Sequence, residues 1–313
     1  MSGVPPTLTP AESARLTRFA TVASVAVALA LVTMKALAWT ATGSVALLAS
    51  LVDSGLDLLA SLATLFAVRY AAAPPDSKHR FGHGKAEAFA SLMQAGLVFA
   101  SAALIAREAI QAMTEPHALR AEGWGVAVMI AASALTAALV AFQGHVVRRT
   151  GSVAISGDRA HYASDLGSNL VALVGVGAAA YLGLHGLDAP AGLLIAAILL
   201  WGAVGVFREA ARQLMDRELS EDARARIKAL VREDPRVVDV HQLRTRASGP
   251  YVHMQMHLDL DPQLSLEAAH KVIVDAERRI LGAFPSADIL IHPDPRGRAE
   301  PHGGAFPEQH ARA

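Results

Sequence analysis

The chain has no cysteine and few charged residues, and both shortages narrow the classes of protein to which it can belong. With no cysteine among 313 residues, a disulfide scaffold and any thiolate metal site are excluded. Only 18% of the residues are charged, whereas soluble domains average about 25%. The formal net charge is zero, so the composition does not indicate a nucleic-acid partner. Thirteen histidines and the carboxylates remain as possible metal ligands.

Charge is unevenly distributed along the chain, which predicts a membrane domain followed by a soluble domain. Long stretches between Phe19 and Phe207 carry almost no charge, whereas residues 207–300 are rich in Arg, Asp, Glu and His. We predict a cytoplasmic N-terminal segment at 1–18, a transmembrane domain at 19–208, a cytoplasmic domain at 209–295 and a disordered tail at 296–313. The N-terminus, MSGVPPTLTP, has no basic region or cleavage site, so we expect no cleaved signal peptide.

Six segments are long and apolar enough to cross a bilayer, which takes roughly 20 mostly apolar residues. They cover about 19–40, 44–70, 86–112, 122–146, 158–184 and 188–208. The sequence TATGS separates the first two and predicts a tight hairpin.

An even number of spans puts both termini on one side of the membrane. Basic residues flank the spans on that side: Arg15, Arg18, Arg69, Lys78, Arg80, Lys85, Arg148 and Arg149. The opposite loops carry little positive charge beyond Arg107 and Arg120. Because basic loops stay in the cytoplasm, we predict a multi-pass protein of the inner (plasma) membrane with both termini cytoplasmic.

From Glu218 onward the pattern is that of a small two-layer α+β domain. SEDARARIKALV opens with a serine cap and an acidic first turn and predicts a helix. VVDVHQLRTR and YVHMQMHLDL alternate on either side of ASGP and predict a β-hairpin. SLEAAHKVIVDAERRI predicts a second helix and ADILIH a last strand, which gives the order αββαβ.

Two carboxylates lie near the middle of the second predicted span, in LVDSGLDLLA. Asp53 and Asp57 are four residues apart and therefore share one helical face, about 5–6 Å apart at Cβ. His161 and Asp165, in AHYASDLG, repeat this spacing on another span. Two such helices can supply four ligands to zinc or a similar divalent ion, whose charge offsets the cost of burying carboxylates. The alternative is that these are separate polar residues at helix ends or in helix–helix hydrogen bonds.

A site of this kind could exchange metal for protons. Carboxylates and one imidazole hold zinc less tightly than thiolates would, which favours release. Metal must displace protons from His161, since only the neutral imidazole binds. Metal in one direction and protons in the other follow if the site opens to each side in turn.

Two further groups of possible ligands lie outside the predicted spans. The loop AAPPDSKHRFGHGKAE contains Asp76, His79 and His83, which form either a three-ligand cluster or part of a solvated basic loop. The soluble domain carries a second set near strand and helix ends: His241, His257, His270, His292 and Asp294. On the strand from Tyr251 to Asp259, His253 and His257 share a face with Gln255, which favours metal binding there. We expect His253, His302 and His310 to be solvated.

Taken together, these motifs resemble the cation diffusion facilitator family, in particular its bacterial ferrous-iron and zinc efflux pumps. The resemblance runs from about residue 15 to 296 and rests on GSVALLASLVDSGLD, HRFGHGKAE, HYxSD, LMDREL, HxLRTRxSGP and IHPDP, in that order. It implies a transport site of Asp53, Asp57, His161 and Asp165, and a loop site of Asp76, His79 and His83.

The resemblance also implies a homodimer with metallochaperone-like cytoplasmic domains. Each domain would hold two metals, His241 and His257 on one, His270 and His292 on the other, and Asp294 between them. A charge interlock would join Lys85 to Asp216. Pro293 departs from the polar residue of the close relative and could weaken an outer contact of that site. In this family a histidine at the position of His161 implies a preference for zinc.

The sequence therefore predicts a secondary active transporter that exports zinc in exchange for protons, with iron(II), cadmium and cobalt as further cargo. Its expected partners are divalent cations, protons, the lipid bilayer and a second copy, with no organic cofactor and no catalytic residues. The alternatives are an intramembrane metalloenzyme and a metal sensor without transport. Against the first, the sequence has no HExxH-type helix with a spare general base. Against the second, a sensor needs no ligands in the middle of the membrane.

Overall fold

The computed structural model describes residues 8–42, 45–114, 123–182 and 188–297. They divide into two compact units, one spanning Ala14–Ala211 and the other containing the residues from Arg212 onward. The first is built from helices and the second contains the sheet. Gly43 and Ser44 of the predicted TATGS hairpin, and His302 and His310, lie outside the described residues.

Long helices make up the first unit. They are α1 (Pro10–Thr42), α2 (Val45–Ala71), α3 (Ala86–Thr114), α4 (Gly123–Thr150), α5 (Val153–Leu182) and α6 (Asp188–Leu214). Within the described residues, five segments are long and apolar enough to cross a membrane: Pro10–Ala41, Ser50–Ala71, Ala86–Gln111, Val126–Thr150 and Pro190–Leu214. The remaining long helix, α5, carries Asp158, Arg159, His161 and Asp165 in its first half.

Several helices extend beyond the membrane spans predicted from hydropathy. Helix α1 starts at Pro10 rather than near residue 19, so part of the predicted N-terminal segment is helical. The reason is a capping box, which hydropathy does not detect. The Thr9 hydroxyl accepts from the backbone N–H of Glu12, and the Glu12 carboxylate accepts from the backbone N–H of Thr9. Pro10 fits the first helical position because its missing N–H needs no partner there.

Three other helix ends also lie outside the predicted spans. Helix α4 continues through Arg148 and Arg149 to Thr150, and α6 continues from 208 to Leu214. Both extensions are polar and lie past the apolar run that hydropathy measures. Helix α5 begins at Val153 instead of residue 158, directly after a turn in which Gly151 adopts a φ of +66°.

The helices pack through small residues. Ala20, Val68, Ala90, Val146 and Ala154, from α1 to α5, belong to one buried cluster. At Gly157 a Cβ atom would come within 2.9 Å of the Cα atom of Ser91, so α5 and α3 approach more closely than any larger residue would allow. Such contacts are typical of helices packed in lipid.

The second unit has the predicted element order. It consists of α7 (Glu221–Arg232), β1 (Asp239–Ser248), β2 (Tyr251–Leu260), α8 (Leu266–Ala283) and β3 (Ala287–Pro295). The sheet order is β1-β2-β3, with β1 antiparallel and β3 parallel to β2. Ser220 caps α7 and Ser265 caps α8, each by accepting a backbone N–H.

The hydrophobic core of this unit lies between the sheet and its two helices. Val252, Met254, Met256 and Leu258 alternate along β2 and are buried with apolar residues of α7 and α8. The residues between them belong to the opposite face of the strand. That face carries the histidines and carboxylates described below.

Candidate metal centres

Three of the four predicted transport ligands come together in the helical unit. The Nε2 atom of His161 on α5 lies 3.0 Å from Oδ1 of Asp57 on α2 and 3.8 Å from Oδ2 of Asp165. Nδ1 of His161 and Oδ2 of Asp165 are buried and have no hydrogen-bond partner among the described residues. Two carboxylates and one imidazole, with buried atoms left unpaired, fit a divalent cation. We call this group the membrane cluster.

Asp53, the fourth predicted ligand, lies one helical turn before Asp57 on α2. It is exposed and is not part of the group of three whose ligand atoms lie within 4.8 Å of one another. Its role as a ligand stays a prediction.

Helix α5 is held in place at its start by a residue of α3. The buried carboxylate of Glu87 accepts a hydrogen bond from the hydroxyl of Ser152, directly before α5. The same hydroxyl accepts from the backbone N–H of Ile155. These contacts satisfy polar groups at the N-terminus of the helix that carries His161 and Asp165.

A buried acidic residue that the sequence analysis did not single out lies one turn before His161. Asp158 is fully buried and accepts hydrogen bonds from Ser24 of α1 (2.6 Å), Gln94 of α3 (3.2 Å) and Gln143 of α4 (2.7 Å). These donors are neutral and come from three different helices. Asp158 therefore fixes α5 within the helical unit. The signal that could have revealed it is its three-residue spacing from His161, which places both on one face.

The predicted loop ligands also come together, between α2 and α3. Oδ1 of Asp76 lies 3.2 Å from Nδ1 of His79, and Oδ2 lies 3.3 Å from Nε2 of His83. The backbone N–H groups of His79 and Lys78 donate to Asp76 and lower the pKa of its carboxyl to about 2. His83 is nearly buried, and its Nδ1 atom has no hydrogen-bond partner among the described residues. We call this group the loop cluster.

The third group lies on the face of the sheet that does not contribute to the hydrophobic core. Asp294 on β3 is buried, with Oδ2 2.9 Å from Nδ1 of His257 and 3.3 Å from Nε2 of His241. His241 and His257 are direct partners in the β1–β2 register. The register shifts immediately after His241, where Gln242 adopts a φ of +49°. We call His241, His257 and Asp294 the sheet cluster.

Two more predicted ligands of the cytoplasmic domain differ in their positions. Nε2 of His292 lies 3.3 Å from the second carboxylate oxygen of Asp294, at the edge of the sheet cluster. His270 is exposed on α8 and is not part of the three-residue cluster. Sequence reasoning also missed Asp259, whose Oδ1 lies 3.2 Å from Nε2 of His241. Asp259 lies two residues after His257 and therefore on the same face of the strand, which the sequence alone indicates.

The expectation that His253 is solvated was wrong. Only 9% of the residue is exposed, and Nδ1 lies 2.9 Å from Oδ2 of Asp288. His253 pairs with Asp288 in the parallel β2–β3 register, which explains the contact. The charge interlock between Lys85 and Asp216 stays a prediction, since these residues belong to different compact units.

The fold and the clusters together define a class of protein. A helical unit with several segments able to cross a membrane holds a carboxylate–imidazole cluster, and a small α+β unit holds another. That combination indicates a membrane protein that handles metal cations.

Comparison with known proteins gives the family. The model of the cation efflux transmembrane domain matches residues 21–215, and that of the cation efflux protein cytoplasmic domain matches residues 219–296. The cation-efflux pump FieF of Yersinia enterocolitica is 43% identical over 284 residues, which cover 91% of this chain and 94% of that protein. FieF of Klebsiella pneumoniae is 42% identical over 281 residues, 90% of this chain and 93% of its own length.

Two solved structures match about a quarter of this chain each. The zinc form of the putative zinc transporter CzrB is 32% identical, covering 28% of this chain and 99% of its own, with a TM-score of 0.26. The metal-bound C-terminal domain of the Thermotoga maritima transporter CzcD is 28% identical, covering 25% of this chain and 93% of its own, with a TM-score of 0.25.

The chain belongs to the cation efflux family. It is a multi-pass membrane transporter of divalent metal cations rather than an enzyme.

Proposed function

We propose that this protein exports zinc from the cytoplasm in exchange for protons, with iron(II), cadmium and cobalt as further cargo. The observation that carries the proposal is the membrane cluster, in which Asp57 of α2 meets His161 and Asp165 of α5. A charged cluster in a helical membrane unit is expensive and is therefore a functional site by default. One imidazole among carboxylates suits zinc better than the all-oxygen sites that magnesium and calcium prefer.

The proposed path has six membrane crossings. Helix α5 is the sixth, joining the five apolar segments, and its buried Asp158 and His161 face the protein interior rather than lipid. With six crossings both termini lie on one side of the membrane, and the end of α4 lies on that side too. Arg148 and Arg149 are found there, and because basic residues stay in the cytoplasm, both termini are cytoplasmic. Asp53 completes the transport site as a fourth ligand when a metal is bound.

Proton exchange follows from the chemistry of the ligands. A metal ion binds the neutral imidazole of His161 and the ionised carboxylates of Asp57 and Asp165, so protons leave the cluster when metal enters. When the ion leaves, protons take its place and lower the cost of burying the carboxylates. The inward proton gradient of a bacterial membrane would then drive metal outward.

The loop and sheet clusters have separate roles in the proposal. The loop cluster of Asp76, His79 and His83 binds a metal at the cytoplasmic membrane surface. His241, His257 and Asp294 hold one metal in the cytoplasmic domain, and His292 with His270 holds a second that shares Asp294. Two copies of the chain associate through these domains, so that metal in the sheet cluster stabilises the dimer.

The test uses the full-length protein in liposomes that contain a pH-sensitive dye. Zinc added outside should move protons in the opposite direction, and iron(II), cadmium and cobalt should compete with it. A metalloenzyme or a sensor would bind zinc in the same vesicles without moving either ion. Vesicles that bind zinc but show no proton or metal movement under an imposed pH gradient would contradict the proposal.

A further inference from the structure

Helix α1 contains a single charge in a long apolar stretch. Lys35 is the only charged residue between Phe19 and Thr42, within a segment long and apolar enough to cross a membrane. It is half-buried in the structure. An ammonium at such a position costs several kcal/mol, so its presence calls for a functional reason.

The ammonium of Lys35 is held against α2. Its Nζ donates to the backbone carbonyl of Ser50 at 3.2 Å and to the hydroxyl of Ser54 at 2.7 Å. Both acceptors are neutral, and Ser54 is buried. Ser54 follows Asp53 directly and precedes Asp57 by three residues, so the lysine is fixed to the part of α2 that carries the carboxylates.

The charge of Lys35 acts on the transport ligands without occupying the cluster. Ser54, which accepts from the ammonium, lies beside Asp53 and one helical turn before Asp57, so the positive charge lies near both carboxylates of α2. Charge interactions fall off slowly with distance in a low-dielectric surrounding, so an ammonium beyond contact distance still acts on a dication bound there. The same ammonium charge of Lys35 attracts the carboxylates when the site is empty and repels a dication when one is bound.

Resting on the function proposed above, we propose that Lys35 is a fixed counter-cation of the transport site that weakens metal binding and speeds release. In the empty site its charge replaces part of the missing metal charge. When the site holds a metal ion, the charge of Lys35 repels that ion. The tether to Ser50 and Ser54 keeps it from pairing directly with Asp57, which would block the site.

The inference predicts a distinctive kinetic change. In Lys35→Met the bound metal loses its repulsive neighbour, so the KM for zinc should fall about tenfold or more. Release becomes slower, and kcat should fall as well. Lys35→Arg keeps the charge and should restore both values to within about twofold of the parent. Lys35→Gln, which can still donate to Ser50, should behave like Lys35→Met.

The experiment measures KM and kcat for zinc uptake into proteoliposomes made with each full-length variant. Arg18→Met is the matched control, because it removes a positive charge from the same helix about 25 Å along its axis from Lys35. It should leave the KM unchanged. Melting temperatures of the purified variants show whether each has folded.

The outcomes separate the inference from the function on which it rests. Parent vesicles that move no zinc would contradict the transport proposal. An active parent with an unchanged or raised KM in Lys35→Gln would overturn the role of Lys35 alone. A purely structural tether predicts that result, since it lowers kcat without tightening zinc binding. If Lys35→Met fails to fold, Lys35→Gln and Lys35→Arg still decide between the two.

Discussion

The membrane cluster and the sheet cluster use the same chemical groups on different scaffolds. In the membrane cluster Asp57 and His161 are 104 residues apart in sequence and come from two separate helices. In the sheet cluster His241 and His257 are direct partners in an antiparallel ladder, and Asp294 lies on the neighbouring parallel strand. Helices can slide or tilt against each other, whereas neighbouring strands are joined by backbone hydrogen bonds. The first scaffold suits a site that opens and closes, and the second suits a site that holds its ion.

The contacts around the two clusters support the same distinction between a site that opens and closes and a site that holds its ion. Helix α5 is fixed by contacts at and before His161, through Glu87 near its start and Asp158 one turn ahead of the cluster. Asp57 reaches the cluster from α2, a different helix. Relative motion of α2 and α5 would therefore open or close the membrane cluster. In the sheet cluster, Asp294 is buried between the two histidines that it contacts.

The largest expected effect comes from removing a ligand of the membrane cluster. Asp57→Ala should reduce zinc flux to the level of protein-free vesicles, because the ion loses the carboxylate that joins α2 to α5. The protein should remain a folded dimer by size-exclusion chromatography. Retained zinc uptake in this variant would remove the membrane cluster from the transport path. Asp222→Ala, which removes an exposed carboxylate of α7, serves as the control.

A smaller effect is expected from changing the ligand type while keeping the ligand. His161→Asp replaces the nitrogen donor by a carboxylate, and oxygen donors favour manganese relative to zinc. Competition flux should show the preference for zinc over manganese falling by about tenfold or more, equivalent to 1.4 kcal/mol. An unchanged preference would mean that His161 does not determine selectivity.

Removal of ligands from the sheet cluster should change binding more than flux. In His241→Ala with His292→Ala, Asp294 loses two of its histidine neighbours. Calorimetry on the full-length protein should show fewer bound zinc ions per chain and a weaker dimer, while zinc uptake continues at a reduced rate. The same number of bound metals as in the parent would contradict the assignment. Complete loss of uptake would show that transport requires the sheet cluster as well as the membrane cluster, and would contradict the difference in function between them.

The smallest expected effect concerns an ion pair of the cytoplasmic domain. The guanidinium of Arg236 donates to the buried carboxylate of Asp234 and lowers its pKa to about 2. Since the pKa is depressed from 3.8, the pair stabilises the fold above that pH, and the stabilisation is lost as the pH falls through about 2. Asp234→Asn should lower the free energy of unfolding by about 1–2 kcal/mol near neutral pH.

Hydrogen exchange of the α7 and β1 amides in the full-length protein measures this loss. The difference between Asp234→Asn and the parent should shrink as the pH approaches about 3, since the parent then begins to lose its own pair. Zinc flux near neutral pH should stay unchanged. Asp222→Asn, on α7, is the exposed control. A constant difference over the whole pH range would show that Asp234 acts through packing rather than through its charge.

Sequence patterns predicted the parts of the sites that repeat along one element. The four-residue spacing of His161 and Asp165, and the alternation along β2, are properties of a single helix or strand and can be read directly. Lys35, Asp158 and Asp259 matter because of residues that other elements bring to them, and their partners are up to 134 residues away in sequence. The same limit applied to His253, since only the β2–β3 register brings Asp288 to it.

The start of α1 shows a second limit of prediction from the sequence. Hydropathy locates the apolar part of a helix, but the helix begins where its backbone N–H groups find partners. The residues TPAE supply those partners nine residues before the predicted start near residue 19. Reading capping residues together with hydropathy would have placed it correctly.

Zinc accumulation in proteoliposomes under an imposed pH gradient tests the central claim most directly. Vesicles with an acidic interior are diluted into a trace of radioactive zinc, and the zinc concentrations inside and outside are compared over time. Exchange of zinc for protons at the membrane cluster predicts that zinc rises inside above its external concentration and returns to equilibrium when the pH gradient is collapsed. Internal zinc that never exceeds the external concentration, at any pH gradient, would contradict the account.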